Sequence, residues 1–99
     1  MTPSLHALDA LGNPVRREIL RSLRTKPLSV VEIAARFPVS RPAISRHLRI
    51  LEDAGLVECA PVGTRSLYSV RRQGFASVRE FLNDFWDEAF TRMQALSDQ

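Results

Sequence analysis

The sequence contains a single cysteine, Cys59, among its 99 residues. An internal disulfide is therefore impossible, and a zinc site built from several cysteines is excluded. No apolar run approaches the roughly 20 residues that a membrane-spanning helix requires. The first residues also lack the charged start and the apolar core of a signal peptide. These absences lead us to expect a cytoplasmic protein with no membrane contact.

Glycine is scarce as well, and the four glycines all fall at expected boundaries between helices and strands: Gly12, Gly55, Gly63 and Gly74. A glycine-rich loop of the kind that holds phosphate is therefore missing. The sequence also contains no motif for a nucleophile with its base or for paired catalytic carboxylates. We expect neither an enzyme nor a bound cofactor.

The net charge of +3 is distributed unevenly along the chain. Residues 1–74 carry twelve basic and six acidic side chains, whereas residues 75–99 carry two basic and five acidic ones. Every basic residue except Lys26 is an arginine, the side chain that can hydrogen-bond guanine and phosphate in a bidentate manner. A basic body with an acidic terminal segment indicates a polyanionic partner on one side of the molecule.

The overall composition, with 44% hydrophobic and 25% charged residues, is that of a single globular domain over residues 1–99. Apolar spacing predicts a helix over residues 4–11 and a second helix, which Asn13 caps and Pro14 begins. The second helix carries an outward basic set, for which both solvent and DNA phosphate remain open as partners. This set is Arg16, Arg17, Arg21 and Arg24.

The stretch from Ser40 to Leu56 organises the rest of the chain. Ser29 and Glu32 have the spacing of a capping box and predict a short helix just before this stretch. Ser40 then caps a second helix, and Gly55 is suited to end it. The apolar stripe of that helix consists of Ile44, Leu48 and Leu51. A short helix, a turn of a few residues and a second helix have the spacing of a helix-turn-helix.

The face opposite that stripe is cationic, contains hydrogen-bonding side chains and has no acidic residue. Such a face suits the major groove of double-stranded operator DNA, where arginine and serine can bind base edges. The residues at the start of the helix suit either base edges or phosphate. The predicted DNA contacts on this helix are Ser40, Arg41, Pro42, Ser45, Arg46 and Arg49.

After Gly55 the pattern changes to that of β-strands. Residues 56–60 and 66–70 predict a hairpin, and the connecting residues 61–65 include a turn glycine. A hairpin in this position is the wing of a winged helix-turn-helix, so the expected fold is mainly α with a small β-hairpin, in the order α-α-α-α-β-β-α. Its tip adds Thr64 and Arg65 to the predicted DNA contacts.

A last helix is predicted from Phe75 to Leu96, within a terminal segment, residues 75–99, that we assign to dimerisation. Four of the five phenylalanines and the only tryptophan lie in this segment. A domain this small cannot cover a helix of about 33 Å, so part of the apolar stripe is expected to bury against a second copy. The predicted homodimer contacts are Leu5, Leu8, Phe81, Phe85, Trp86, Phe90 and Met93.

Other reactive side chains have ordinary structural interpretations. His47 adjoins the apolar stripe and is expected to be half-buried rather than a ligand. Cys59 and Tyr68 lie on the predicted hairpin and are expected to pack against the core. Three carboxylates on the last helix have a spacing suited to a hard cation, but a solvated acidic face is favoured and no metal site is predicted. These are Asp84, Asp87 and Glu88.

Three segments together resemble the ArsR-type winged-helix repressors: L-D-A-L-G-N-P-V-R-R-E-I-L-R-S-L, S-R-P-A-I-S-R-H-L-R-I-L-E-D-A-G-L-V and G-T-R-S-L-Y-S-V. The similarity runs from about Leu8 to Val70, and the terminal helix around F-W-D-E-A resembles one branch of that family. The resemblance implies an intracellular prokaryotic homodimer that represses transcription from an operator with two-fold symmetry. It also implies that the first and last helices build the dimer.

The inducer chemistry of that family does not carry over. Metal-sensing members have a Cys-x-Cys motif in the helix before the recognition helix, and residues 29–34 here have none. Residues 75–99 lack the histidine that other members use, and a thiol switch needs a second cysteine. The effector is therefore unassigned. A protein-interaction winged helix and a metal- or thiol-responsive repressor with an atypical sensing site remain as alternatives.

Overall fold

The computed structural model describes residues 3–97, with the side chains of residues 6–97. Five helices and three strands follow one another as α1 (Pro3–Leu11), α2 (Pro14–Ser22), β1 (Leu28–Ser29), α3 (Val30–Ala34), α4 (Arg41–Asp53), β2 (Val57–Val62), β3 (Arg65–Val70) and α5 (Arg72–Ser97). The predicted winged helix-turn-helix, mainly helical with a small hairpin, is confirmed. Among these elements, the short strand β1 was not predicted.

Side-chain caps by Asn13, Ser29 and Ser40 fix the starts of α2, α3 and α4, as the sequence predicts. The Asn13 side chain accepts a hydrogen bond from the Arg16 backbone N–H at 3.1 Å. Ser40 does the same for α4 through the Ala43 N–H at 3.2 Å. Each cap satisfies one of the N–H groups that a helix start leaves without a partner. The sequence therefore defines where the helices of the DNA-binding motif begin.

The core lies beneath α4. Its stripe of Ile44, Leu48 and Leu51 is completely buried. The side chains that cover it come from α2, α3 and the segment after α4: Ile19, Ile33 and Leu56. Because one whole face of α4 is packed against these residues, its opposite face is held toward solvent in a fixed orientation.

The sheet has three antiparallel strands in the order β1-β3-β2. Leu28 and Ser29 of β1 pair with Tyr68 and Leu67 of β3, which ties the wing to the start of α3. The strands of the hairpin are also longer than predicted, since pairing continues to Val62 and Arg65 and leaves only residues 63–64 in the turn. A proline at position 61 is tolerated because β2 is an edge strand.

Helix α5 begins earlier than predicted. It starts at Arg72 rather than at Phe75, so that Gln73 and Gly74 lie inside its first turn. A Cβ on Gly74 would stand 1.8 Å from the carbonyl oxygen of Gly55. The missing side chain therefore lets the helix start directly against the turn that follows α4.

Helix α5 extends away from the domain. Its 26 residues correspond to about 39 Å, and the molecule measures 63 × 26 × 25 Å. Val78 is buried, whereas every described residue after it on α5 is exposed. Helix α1 packs against α5. No helix within residues 3–97 is long and apolar enough to cross a membrane.

Candidate nucleic-acid interface

The outward face of α4 presents the predicted DNA contacts together. All six of these residues are exposed: Ser40, Arg41, Pro42, Ser45, Arg46 and Arg49. Helix α4 has 13 residues and is about 20 Å long, which is enough to lie across a major groove about 12 Å wide. None of its three arginines forms an ion pair with another described side chain. Their donors therefore remain available to an external acceptor.

His47 and Arg16 connect α4 to the first two helices. The Arg16 guanidinium donates through Nη1 to His47 Nδ1 at 3.3 Å and through Nε to the Ala10 carbonyl at 2.7 Å. His47 is half-buried, as expected, and accepts this bond in its neutral form. Burial lowers the pKa of His47 below its usual value, and the charges of Arg16 and Arg46 lower it further.

The four arginines predicted to face outward from α2 therefore differ in their contacts. Arg16 was expected to point outward, but it is half-buried because it caps the C-terminal end of α1. Arg17 also donates to that end, through the Leu11 carbonyl at 2.9 Å. Cations at the C-terminus of a helix interact favourably with its unpaired carbonyls. Arg21 forms an ion pair with Glu18, so Arg24 is the member of the set without a polar side-chain contact among the described residues.

At the wing, Arg65 does not extend freely from the hairpin. Its Nη2 donates to Glu32 Oε1 at 2.5 Å, and the same oxygen accepts the Ser29 backbone N–H at 2.9 Å. The Ser29 N–H above all, with the charges of Arg65 and Lys26, holds the pKa of Glu32 below its usual range. Thr64 is exposed in the turn. The sequence predicted the capping box but contained no signal for the contact with Arg65, which joins residues 33 positions apart.

A cleft of about 590 Å³ separates α3 and the start of α4 from the wing. Arg41 lines it on the α4 side, and Thr64 and Arg65 line it on the wing side. Val31 and Glu32 of α3 form part of its wall. The cleft thus connects the two groups of predicted DNA contacts and contains the Glu32–Arg65 ion pair.

The exposed part of α5 carries a series of large apolar side chains, which includes most of the predicted dimer contacts. Their side chains are 40 to 70% exposed: Phe81, Phe85, Trp86, Phe90 and Met93. The rings of Phe81 and Phe85 meet edge to face with centroids 5.1 Å apart. On α1, Leu8 is half-buried against the core, and the Leu5 side chain lies outside the described residues.

Of the two reactive side chains on the hairpin, Tyr68 is packed against the core as expected, whereas Cys59 is half-buried and is not among the residues packed against it. Tyr68 pairs with Cys59 across the hairpin and packs against the core. Burial raises the pKa of Tyr68 above its usual value, and Cys59 adds to this shift. Within residues 3–97, no three His, Cys, Asp or Glu side chains are grouped so that they could hold a metal ion.

Comparison with known proteins agrees with this geometry. Residues 11–60 match a family model described as a helix-turn-helix domain. The chain is 44% identical to the HTH-type transcriptional regulator Rv2034 of Mycobacterium tuberculosis over 92 residues, which cover 93% of this chain and 86% of that relative.

Two solved structures are similar over most of the chain. An ArsR-like transcriptional regulator from Rhodococcus sp. RHA1 has a TM-score of 0.81 and 32% identity, over 95% of this chain and 89% of that one. A homodimeric winged helix-turn-helix DNA-binding domain from Mycobacterium bovis, described as a possible ArsR-family regulator, has a TM-score of 0.70 and 28% identity, over 87% and 80%.

Proposed function

Because the chain belongs to the ArsR-type winged helix-turn-helix family and is a DNA-binding transcriptional regulator, we propose that it is a homodimeric repressor of a palindromic operator. The observation that carries this proposal is the orientation of α4. Its apolar side is completely buried, so its exposed arginines form a fixed cationic surface.

Helices α1 and α5 supply the dimer contacts in this proposal. Burying the aromatic side chains after Val78 against a second copy removes an apolar surface that a monomer would leave in water. A two-fold interface repeats each contact, so both copies present α4 in equivalent orientations. The two recognition helices then enter successive major grooves, roughly 34 Å apart on one side of the duplex.

Four of the predicted contacts on α4 have a chemical role in that complex. Arg46 and Arg49 can donate two parallel bonds to guanine O6 and N7, and Ser45 can contact a base edge. Arg41, beside the N-terminus of α4, is placed for a phosphate, since a helix N-terminus favours anions. A dimer bound over a promoter would exclude the transcription machinery, which is the repression that the sequence resemblance implies.

Selection of bound duplexes from a random DNA pool tests this function directly. We expect two inverted half-sites whose centres lie about 10 base pairs, one helical turn, apart. Affinity for the selected duplex should fall steeply with salt, because counterions are released when arginines neutralise phosphates. Binding without sequence enrichment would contradict operator recognition, and a protein that sediments as a monomer at micromolar concentration would contradict the dimer.

In a purified transcription assay with the selected site placed over a promoter, we expect the protein to lower transcript yield. A higher yield would contradict repression and indicate an activator. Salt-insensitive binding to another protein, without DNA affinity, would instead support the interaction-module alternative.

A further inference from the structure

The two side chains of the Glu32–Arg65 ion pair differ in how firmly they are held. The Glu32 carboxylate is fixed, because it belongs to the capping box of α3. Its Oε1 accepts the Ser29 N–H at 2.9 Å, and the Ser29 Oγ accepts the Glu32 N–H at 3.2 Å. The Arg65 side chain is 54% exposed and has several freely rotating bonds. The guanidinium can therefore leave the carboxylate without disturbing the helix cap.

The cleft beside this ion pair has the chemistry of a phosphate-binding surface. Arg41 faces it from the start of α4, and the hydroxyl-bearing Thr64 and Ser66 face it from the wing. When a recognition helix occupies the major groove and a wing reaches the adjacent minor groove, one sugar-phosphate strand passes between them. In this molecule the space between those two elements is the cleft of about 590 Å³. The carboxylate of Glu32 is the acidic group on its wall.

We propose that this cleft receives a DNA phosphate, and that Arg65 exchanges its bond to Glu32 for a bond to that phosphate when DNA binds. The inference rests on the proposed function, because it requires DNA at α4 and the wing. In the unbound protein, Glu32 holds Arg65 against α3. When DNA binds, the Glu32–Arg65 ion pair is lost as the contact between Arg65 and the phosphate forms. The Glu32 carboxylate then remains close to that phosphate. Glu32 thereby weakens binding to every sequence, since phosphate contacts do not depend on the bases.

The substitution Glu32→Gln isolates this effect. Glutamine also serves at the third position of a capping box, so the start of α3 is retained while the charge is removed. We expect Glu32→Gln to bind a labelled duplex of mixed sequence about twofold to fivefold more tightly at physiological salt, the range that corresponds to an exposed ion pair. The matched control is Glu58→Gln, which removes the same charge from the hairpin that carries Arg65.

Glu58 lies four residues along β2 from Val62, the partner of Arg65. That separation is about 13 Å, longer than the screening length of about 8 Å at physiological ionic strength. We therefore expect the control to change affinity much less than Glu32→Gln. An equal gain in both variants would show that net charge alone is responsible, and would overturn the exchange.

The variant Arg65→Gln supplies a second test that leaves the capping box untouched. It should lower the slope of log affinity against log salt by about one, because one phosphate contact is lost. In the double variant Glu32→Gln/Arg65→Gln, the gain from Glu32→Gln should be smaller than in the wild-type background, because only the repulsion between the carboxylate and the phosphate is left to relieve. An unchanged salt slope would mean that Arg65 stays on Glu32 in the complex, and an equal gain in both backgrounds would overturn the coupling.

These outcomes separate the inference from the function on which it rests. If the wild-type protein does not bind the duplex, the proposed function fails first. If the wild-type protein binds with a steep salt dependence but Glu32→Gln has no greater effect than Glu58→Gln, only the exchange fails. The thermal unfolding temperature of Glu32→Gln should match that of the wild type within a few degrees. If Glu32→Gln is destabilised, the salt slope of Arg65→Gln tests the exchange instead.

Discussion

Gly74, in the first turn of α5, lies directly against the carbonyl group of Gly55, at the turn that ends α4. A Cβ on Gly74 would stand 1.8 Å from the Gly55 oxygen and 2.6 Å from its carbon. Gly55 itself has a φ of +77°, a conformation that side-chain-bearing residues rarely adopt. The recognition helix thus ends, and the projecting helix begins, where two backbones touch. In the proposed dimer this contact sets the angle between the DNA-binding helix and the dimerisation helix.

The substitution Gly74→Ala should be strongly destabilising. The added methyl group meets backbone rather than a movable side chain, so α5 must shift at a cost of about 1–3 kcal/mol or more. Gly63→Ala is the comparison, because Gly63 has a φ of +65° but nothing within 4 Å of an added Cβ. Its cost is limited to about 1–2 kcal/mol of backbone strain. Urea unfolding measures both, and a smaller loss for Gly74→Ala than for Gly63→Ala would contradict the close contact.

Arg46→Ala should weaken operator binding far more than binding to random DNA. A bidentate contact with guanine is worth about 1–3 kcal/mol of discrimination, whereas a lost phosphate contact weakens all sequences alike. Arg24→Ala removes the same charge from an exposed position just after α2 and serves as the control. Fluorescence anisotropy with selected and scrambled duplexes gives both affinities. Equal losses on the two duplexes would assign Arg46 to phosphate instead.

Phe85→Arg should convert the dimer to monomers. Phe85 is 61% exposed in the single chain, so its replacement should cost the isolated fold little. At the centre of an interface, truncating an aromatic anchor costs about 2 kcal/mol or more, which raises the dimer dissociation constant about thirtyfold or more. Sedimentation velocity measures this, with Asp87→Asn in the same stretch of α5 as the control. A Phe85→Arg protein that remains dimeric at low concentration would place the interface elsewhere.

The stability of the protein should fall as the pH drops below about 6.5, the ordinary pKa of histidine. Folding lowers the pKa of His47, so the unfolded chain binds the proton more readily than the native one. His47 therefore supports the folded state fully above that pH and loses this contribution as acid protonates it. The protonated ring could no longer accept the Arg16 bond, and it would face the charges of Arg16 and Arg46.

Thermal unfolding at a series of pH values measures this dependence. His47→Gln should flatten the profile below about pH 6.5, because it removes the titrating ring and retains an amide oxygen as an acceptor. His6→Gln is the matched control, since it makes the same substitution at the other histidine, which is exposed on α1. If His47→Gln has the same pH profile as the wild type, His47 is not the titrating group.

Local chemistry explains why so much of the fold was predictable. A cap such as Ser40 and a helix-ending residue such as Gly55 act on groups a few residues away, so the sequence alone locates α4 correctly. The apolar stripe then determines which face of α4 is buried, and the predicted DNA contacts follow as its opposite face. All six are exposed in the structure, while their contacts with DNA stay a prediction.

Contacts between distant residues could not be predicted in this way. Arg16 had the spacing of an outward side chain, yet it finds His47 and the end of α1 because the helices pack closely. Arg65 finds Glu32 because β1 pairs with β3 beside α3, and a strand of two residues has too few positions to show an alternating pattern. The early start of α5 depends on one backbone contact at Gly74, which only the assembled fold creates.

Pro61 in β2 protects the exposed edge of the sheet against pairing with a strand of another chain. β2 forms one outer edge of the sheet, and an edge strand with free N–H and C=O groups can act as a template for another chain. Pro61 has no N–H, so it interrupts the row of donors that an added strand would need. The wing can thus be extended and exposed without becoming a starting point for aggregation.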